Sequence, residues 1–165
     1  MEREKRIEAA IRWTLIGAMV LTIAFIFSNS LRTPAESLEQ SDAVGGVIAA
    51  IFPPDTALGG FIQEHIRKIG HFAEYGILGV EFALFVIFCL QNKSKAALAS
   101  IPAAAIIALI DETLQYASGR GPSVADVWID LGGFTALSFA AYGAVALVLC
   151  IRRAAQKNKT ETKNG

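Results

Sequence analysis

Four stretches of this chain, at about residues 13–28, 70–90, 96–116 and 127–151, are apolar and carry few charges, while the segments between and around them hold most of the ionisable groups. A stretch of that length must satisfy its own backbone wherever water is absent, and an α-helix is the one open structure that does so. The blocks therefore predict an all-α, polytopic membrane bundle of four transmembrane helices. Composition alone would not have said so, since 53% apolar residues is near the globular norm. The blockiness, with a mean hydropathy of +0.46, carries the argument. A length of 165 residues suits a single domain over 1–151, with 152–165 as a polar, disordered tail. The first block reads as a retained helix, although Ser28 and Ser30 are small residues at a spacing that suits signal-peptide cleavage. The third block is short alone and continues helically through residues 111–116, with a kink predicted at Pro102.

Several classes of protein are excluded at this point. Charges balance at 15 basic against 15 acidic residues, which leaves no basic field for nucleic acid. Cys89 and Cys150 sit at the ends of apolar blocks, which makes neither a disulfide scaffold nor a zinc cluster. A soluble enzyme does not fit.

Orientation follows from lysine and arginine placement. With four crossings, both termini share a side with the short 91–95 loop. That side holds Arg3, Lys5, Arg6, Arg12, Lys93, Lys95, Arg152, Arg153, Lys157, Lys159 and Lys163, which are 11 of the 15 cations. The positive-inside rule makes it cytoplasmic, an N-in/C-in arrangement. The expected location is a bacterial cytoplasmic membrane, with the long 28–69 segment on the outer side. In that segment Val44, Val47, Ile48 and Ile51 follow helical spacing, with Ser41 as a candidate N-cap and Pro53-Pro54 as a stop. They predict an amphipathic helix in the outer interface. Phe61, Ile62, His65, Ile66 and Ile69 form a second stripe that runs toward the second crossing.

The most informative residues are the ionisable ones at membrane depth, where a carboxylate is expensive unless paired, protonated or hydrated. Glu74 and Glu81 lie two turns apart on one face with His71, and roughly with Lys68. Asp111 and Glu112 end the third apolar block, and Gln115 follows one turn on. Arg120 lies in a Gly/Pro-rich turn, and Asp126 and Asp130 open the fourth helix at i, i+4. The second helix enters from outside, the third leaves there and the fourth enters there. Connectivity alone therefore gathers Lys68, His71, Glu74, Tyr75, Asp111, Glu112, Gln115, Arg120, Ser123, Asp126 and Asp130 at the outer mouth, with Glu81 deeper. Taken singly, Asp126 is explained as a helix cap, His71 as a core histidine, and the glycine pairs 76/79 and 132/133 as packing contacts. Taken together they predict an outward-facing polar cavity.

Three stretches resemble the VanZ-like family of bacterial membrane proteins. The first is Phe25-Ile26-Phe27-Ser28-Asn29-Ser30. The second runs from Lys68 through His71-Phe72 and Tyr75 to Leu78, similar to the family's Lys-x-x-His-Phe-x-x-Tyr-x-x-Leu pattern. The third is Asp111-Glu112 and Gln115, then Arg120, Ser123 and Asp126 in the family's order and spacing. The resemblance covers roughly 25–133. It departs at Asp130, where the family often has asparagine; an extra acid there calls for a proton or a cation partner. The resemblance implies an envelope location and a link to teicoplanin resistance, and implies no reaction.

Two functions follow as expectations. The first is non-enzymatic binding of a membrane lipid headgroup or a lipid-linked wall precursor. Lys68, His71 and Arg120 would donate to phosphate, and Asp111, Glu112 and Gln115 would accept from sugar or amine. The second is a membrane-embedded enzyme on such a substrate. His71 would be its acid or base with Asp111 or Glu112, or His71, Asp111, Glu112 and Asp126 would hold a divalent ion. No cofactor and no metal site of recognised spacing is expected, and the oligomeric state is left open.

Overall fold

A computed structural model describes the backbone of residues 2–164 and side chains as far as Gln156. The described residues form five helices and no strand: α1 (Glu2–Ser30), α2 (Pro34–Ala49), α3 (Ala57–Cys89), α4 (Lys93–Ala117) and α5 (Val124–Asn164). All but α2 contain a window long and apolar enough to cross a membrane. The expected four-span, all-helical fold is therefore found, with longer helices than the apolar blocks alone define.

The distribution of side chains is the reverse of a soluble protein's. Trp13, Leu21, Leu98 and Phe139 are about two-thirds or more exposed, whereas Asp111, Gln115 and Asp130 are fully buried. Apolar groups outside and polar groups inside suit a hydrocarbon solvent, where each interior polar atom must find a partner within the protein.

Helix ends explain where the boundaries moved. α2 begins well before Ser41, because Thr33 and Glu36 form a capping box and Pro34 opens the first turn. Ser41 is interior to the helix, its hydroxyl donating to the Ser37 carbonyl at 2.9 Å. Thr56 caps α3 at Gly59 N, so the second apolar stripe and the second crossing are one continuous helix from Ala57. Pro102 lies within α4 without ending it. α4 ends at Ser118, and Gly119 takes the left-handed backbone (φ 81°) that reverses the chain, with Arg120 N reaching back to Gln115 O at 2.9 Å. α5 runs past Ile151 to Asn164. Good helix formers such as Ala154, Ala155 and Gln156 carry it beyond the apolar block.

α1 and α4 run one way through the bundle and α3 and α5 the other. α3 and α5 form the most extensive pair. At Gly133 a methyl group would fall 2.2 Å from the Phe72 carbonyl oxygen, so only glycine lets the two backbones come this close. One helical stretch further on, the Ser138 hydroxyl donates to the Gly79 carbonyl at 2.9 Å. Around this seam Ile26, Tyr75, Leu78, Ala104, Ala108 and Phe134 make the core. α2 lies against α3, tied by a 2.8 Å bond from Gln63 Nε2 to the Gly45 carbonyl.

Candidate functional site

The end of α1, the first half of α3, the end of α4 and the start of α5 meet at one end of the bundle, and α2 lies over them. The α3–α5 seam sets His71 beside Asp130, Nδ1 to Oδ1 at 3.2 Å, and its Nδ1 is 3.9 Å from Asp111 Oδ2. From α1, the Ser30 hydroxyl donates to Asp111 Oδ1, and Asn29 Nδ2 donates to Glu74 at 2.8 Å. Gln115 Nε2, one turn beyond Asp111, reaches Asp111 at 3.4 Å and Glu112 at 2.9 Å. Glu112 also accepts from Ser123 N at 2.6 Å, which clamps the α4–α5 loop onto the end of α4. The Ser118 hydroxyl donates to Ser30 O at 2.9 Å, fastening the same loop to α1.

Above this network is a cavity of about 270 Å³. Its cationic wall is Arg67 and Arg120; Asn29, Ser37, Gln40, Ser41, His71 and Glu74 add polar groups, and Phe25, Val44 and Ile66 an apolar side. Arg120 donates from its guanidinium to the Asn29 carbonyl at 3.2 Å, and its Nε is buried without a partner. Burial holds the Arg120 guanidinium below its ordinary pKa, and the charge of Arg67 pushes the same way against the pull of Asp111, Glu112 and Asp126. Two like charges facing one cavity repel each other, and an anion placed between them would relieve that repulsion.

Most of the residues singled out in the sequence meet here: His71, Glu74, Asp111, Glu112, Gln115, Arg120, Ser123 and Asp130, with Tyr75 fully buried beside them. Two are placed differently. Lys68 is exposed and does not line the cavity; its neighbour Arg67 does. Asp126 is half-buried at the start of α5, where its amide is capped by the Ser123 hydroxyl at 3.3 Å. Glu112 is taken up by Ser123 and Gln115, so the four-residue metal set read from the sequence does not assemble as a unit. His71, Asp111 and Asp130 do, each offering one ligand atom within 4.8 Å of the others. Glu81 accepts from Thr22 at 2.9 Å, away from the mouth. Sequence reasoning passed over Asn29, Ser30, Ser37, Gln40, Ser41 and Arg67 as ligand groups. For Asn29 and Ser30 the signal was present in the resemblance at the end of the first helix.

Fold and site together define a multi-pass membrane protein with a buried histidine–carboxylate network under a helix-covered cavity. The chain belongs to the VanZ/LLP1 family, whose description matches residues 15–151 and so takes in every residue of the site. No curated protein and no solved structure matches it.

Proposed function

We propose that this chain is a bacterial cell-envelope protein that binds the anionic headgroup of a membrane lipid or lipid-linked wall precursor in the cavity beneath α2. The observation that carries this reading is the pairing of Arg67 and Arg120 in one cavity with His71, beside the apolar side formed by Phe25, Val44 and Ile66. A phosphate takes the guanidinium donors while the first methylenes of its chain lie on the apolar side. α2, held to α3 through Gln63 and Gly45, covers the headgroup. The cation bias of the termini and of the α3–α4 turn supports a cavity on the extracytoplasmic side of the cytoplasmic membrane, with both termini inside. A contribution to teicoplanin resistance belongs to this reading through the family resemblance, since a protein that holds wall-precursor headgroups alters what the antibiotic meets.

Native mass spectrometry of protein extracted gently from its own membrane tests the reading. Wild type is expected to carry a discrete lipid adduct that Arg120→Ala and Arg67→Ala lose. A bare wild-type mass, from protein that is folded and monodisperse, would sink it.

One observation favours a second reading, an embedded enzyme on the same class of substrate: the His71–Asp130 hydrogen bond lies at the cavity edge, where His71 can move a proton at Nδ1 or Nε2. Turnover of a labelled phospholipid or lipid-linked precursor that His71→Ala abolishes is its expected signature. No turnover across both substrate sets would end it.

A further inference from the structure

Glu74, Asp111, Glu112 and Asp130 crowd one end of the bundle interior, and their partners are unequal. Glu74 has Asn29, Glu112 has Ser123 and Gln115, and Asp111 has Ser30 and Gln115. Asp130 is fully buried, with His71 on one oxygen and nothing on the other. Among the described residues no lysine or arginine forms an ion pair with any of the four. His71 brings at most one positive charge, shared between Asp111 and Asp130. Buried carboxylates without a matching cation are strongly unfavourable, and most of all at membrane depth.

We propose that His71, Asp111 and Asp130 bind one divalent metal cation beneath the floor of the cavity. Bonds of about 2.0–2.2 Å to nitrogen and oxygen place neighbouring ligand atoms roughly 3–3.5 Å apart. His71 Nδ1 and Asp130 Oδ1, at 3.2 Å, already have that spacing, and Asp111 Oδ2, at 3.9 Å from the same nitrogen, needs to close by a few tenths of an ångström. The surroundings are those of a metal site's outer shell: Ser30 and Gln115 orient Asp111 by hydrogen bonds. The Tyr75 hydroxyl, one turn along α3 from His71, and Gln115 Oε1 are further buried polar atoms without partners, suited to water on the metal. Two aspartates and a neutral histidine cancel a 2+ charge. One imidazole with two carboxylates and no thiolate selects manganese, iron(II) or zinc over copper(I). This site shares His71 with the cavity lining, while Asp111 and Asp130 lie below it; Arg67 and Arg120, which carry the lipid-binding reading, take no part in the metal site.

The test uses the full chain in detergent, stripped with a chelator and titrated with Mn²⁺, with free Mn²⁺ read by electron paramagnetic resonance. Wild type is expected to bind a single Mn²⁺ that Zn²⁺ displaces. Asp130→Asn and His71→Ala are each expected to weaken it at least about tenfold, and Ser30→Ala about tenfold through Asp111. Glu81→Gln, away from the cluster, is expected to bind as wild type does. Wild type binding Mn²⁺ no better than a folded Asp130→Asn overturns the proposal. Should Asp130→Asn fail to fold, the melting temperature of wild type decides: it is expected to rise with Mn²⁺, and a value unmoved at saturating Mn²⁺ overturns the site. Arg120→Ala separates the two readings, because it is expected to lose the lipid and retain the metal. A chain that binds Mn²⁺ but carries no lipid defeats the lipid reading alone.

Discussion

The α3–α5 helix pair is built by opposite means over its length. In the seam around Gly133 and Gly79 the backbones meet with nothing between them, and the contact is steric, dry and intolerant of any added atom. Toward the mouth the same two helices hold His71 against Asp130, a contact between ionisable side chains that depends on partners from α1 and α4. The seam uses the absence of side chains to fix distance and register, and the mouth uses that register to bring charges together. A site of this kind needs the seam before it needs its own residues.

The strongest way to break the comparison is to fill the seam. Gly133→Leu is expected to abolish folding, since even a methyl group meets the Phe72 backbone and overpacking of this sort costs upwards of about 1–3 kcal/mol. The neighbouring Gly132→Ala is the matched control. Its added carbon comes no closer than 4.0 Å to Phe72, so it is expected to keep the melting temperature of wild type. Thermal unfolding of both in the same detergent checks the pair, and equal melting points would refute the seam's role.

A smaller loss is expected at the mouth. Ser30→Ala removes the hydroxyl that Asp111 accepts from and leaves a buried carboxylate short of a donor, worth roughly 1–3 kcal/mol. Stability measured by chemical denaturation is expected to fall while the fold persists; no change would mean that the network is not structural.

The smallest effect belongs to the cover. Thr33→Ala removes the side-chain half of the capping box of α2, a loss of about 1 kcal/mol confined to that helix. Hydrogen exchange is expected to quicken in α2 and not in α3. The same box gives a pH dependence. The Thr33 amide and hydroxyl hold the Glu36 carboxyl below its ordinary 4.5. A carboxyl depressed in the folded helix contributes stability above the unfolded value, and that contribution is lost as pH falls through the folded one. The ordering of the first turn of α2, followed by the NMR shifts of Thr33 and Glu36, is therefore expected to hold at neutral pH and to fade below about pH 4.5.

Much of this was legible in the sequence because hydrocarbon leaves a chain few choices. Charge-poor blocks had to be helices, and four of them had to bring 71–75, 111–120 and 126–130 to one end. What escaped was phase and partnership. Arg67 and Lys68 are adjacent, and which of them reaches the cavity depends on an azimuth of about 100° per residue that the continuous α3 sets. The start of α2 was misplaced because Val44 to Ile51 gave the louder signal, although Thr33-Pro34-Ala35-Glu36 is a start signature on its own. Asn29 and Ser30 are ordinary polar residues until α3 and α4 are placed beside them. The unequal fates of Asp126 and Asp130 lie one helical turn apart, a difference of depth that spacing alone does not reveal.

His71 meets Asp130 and Gly79 meets Ser138, and both pairs are separated by 59 positions along the chain. α3 and α5 thus lie like two rulers set edge to edge, and the mark opposite any residue is found by counting. An extra residue in α3 between these marks would advance one ruler by about 1.5 Å and turn it by about 100°. Either the dry contact or the charged one would survive, never both. Over these few turns the spacing of residues is as much a part of the protein's identity as the residues themselves, and a natural insertion there would mark a relative that has given up this mouth.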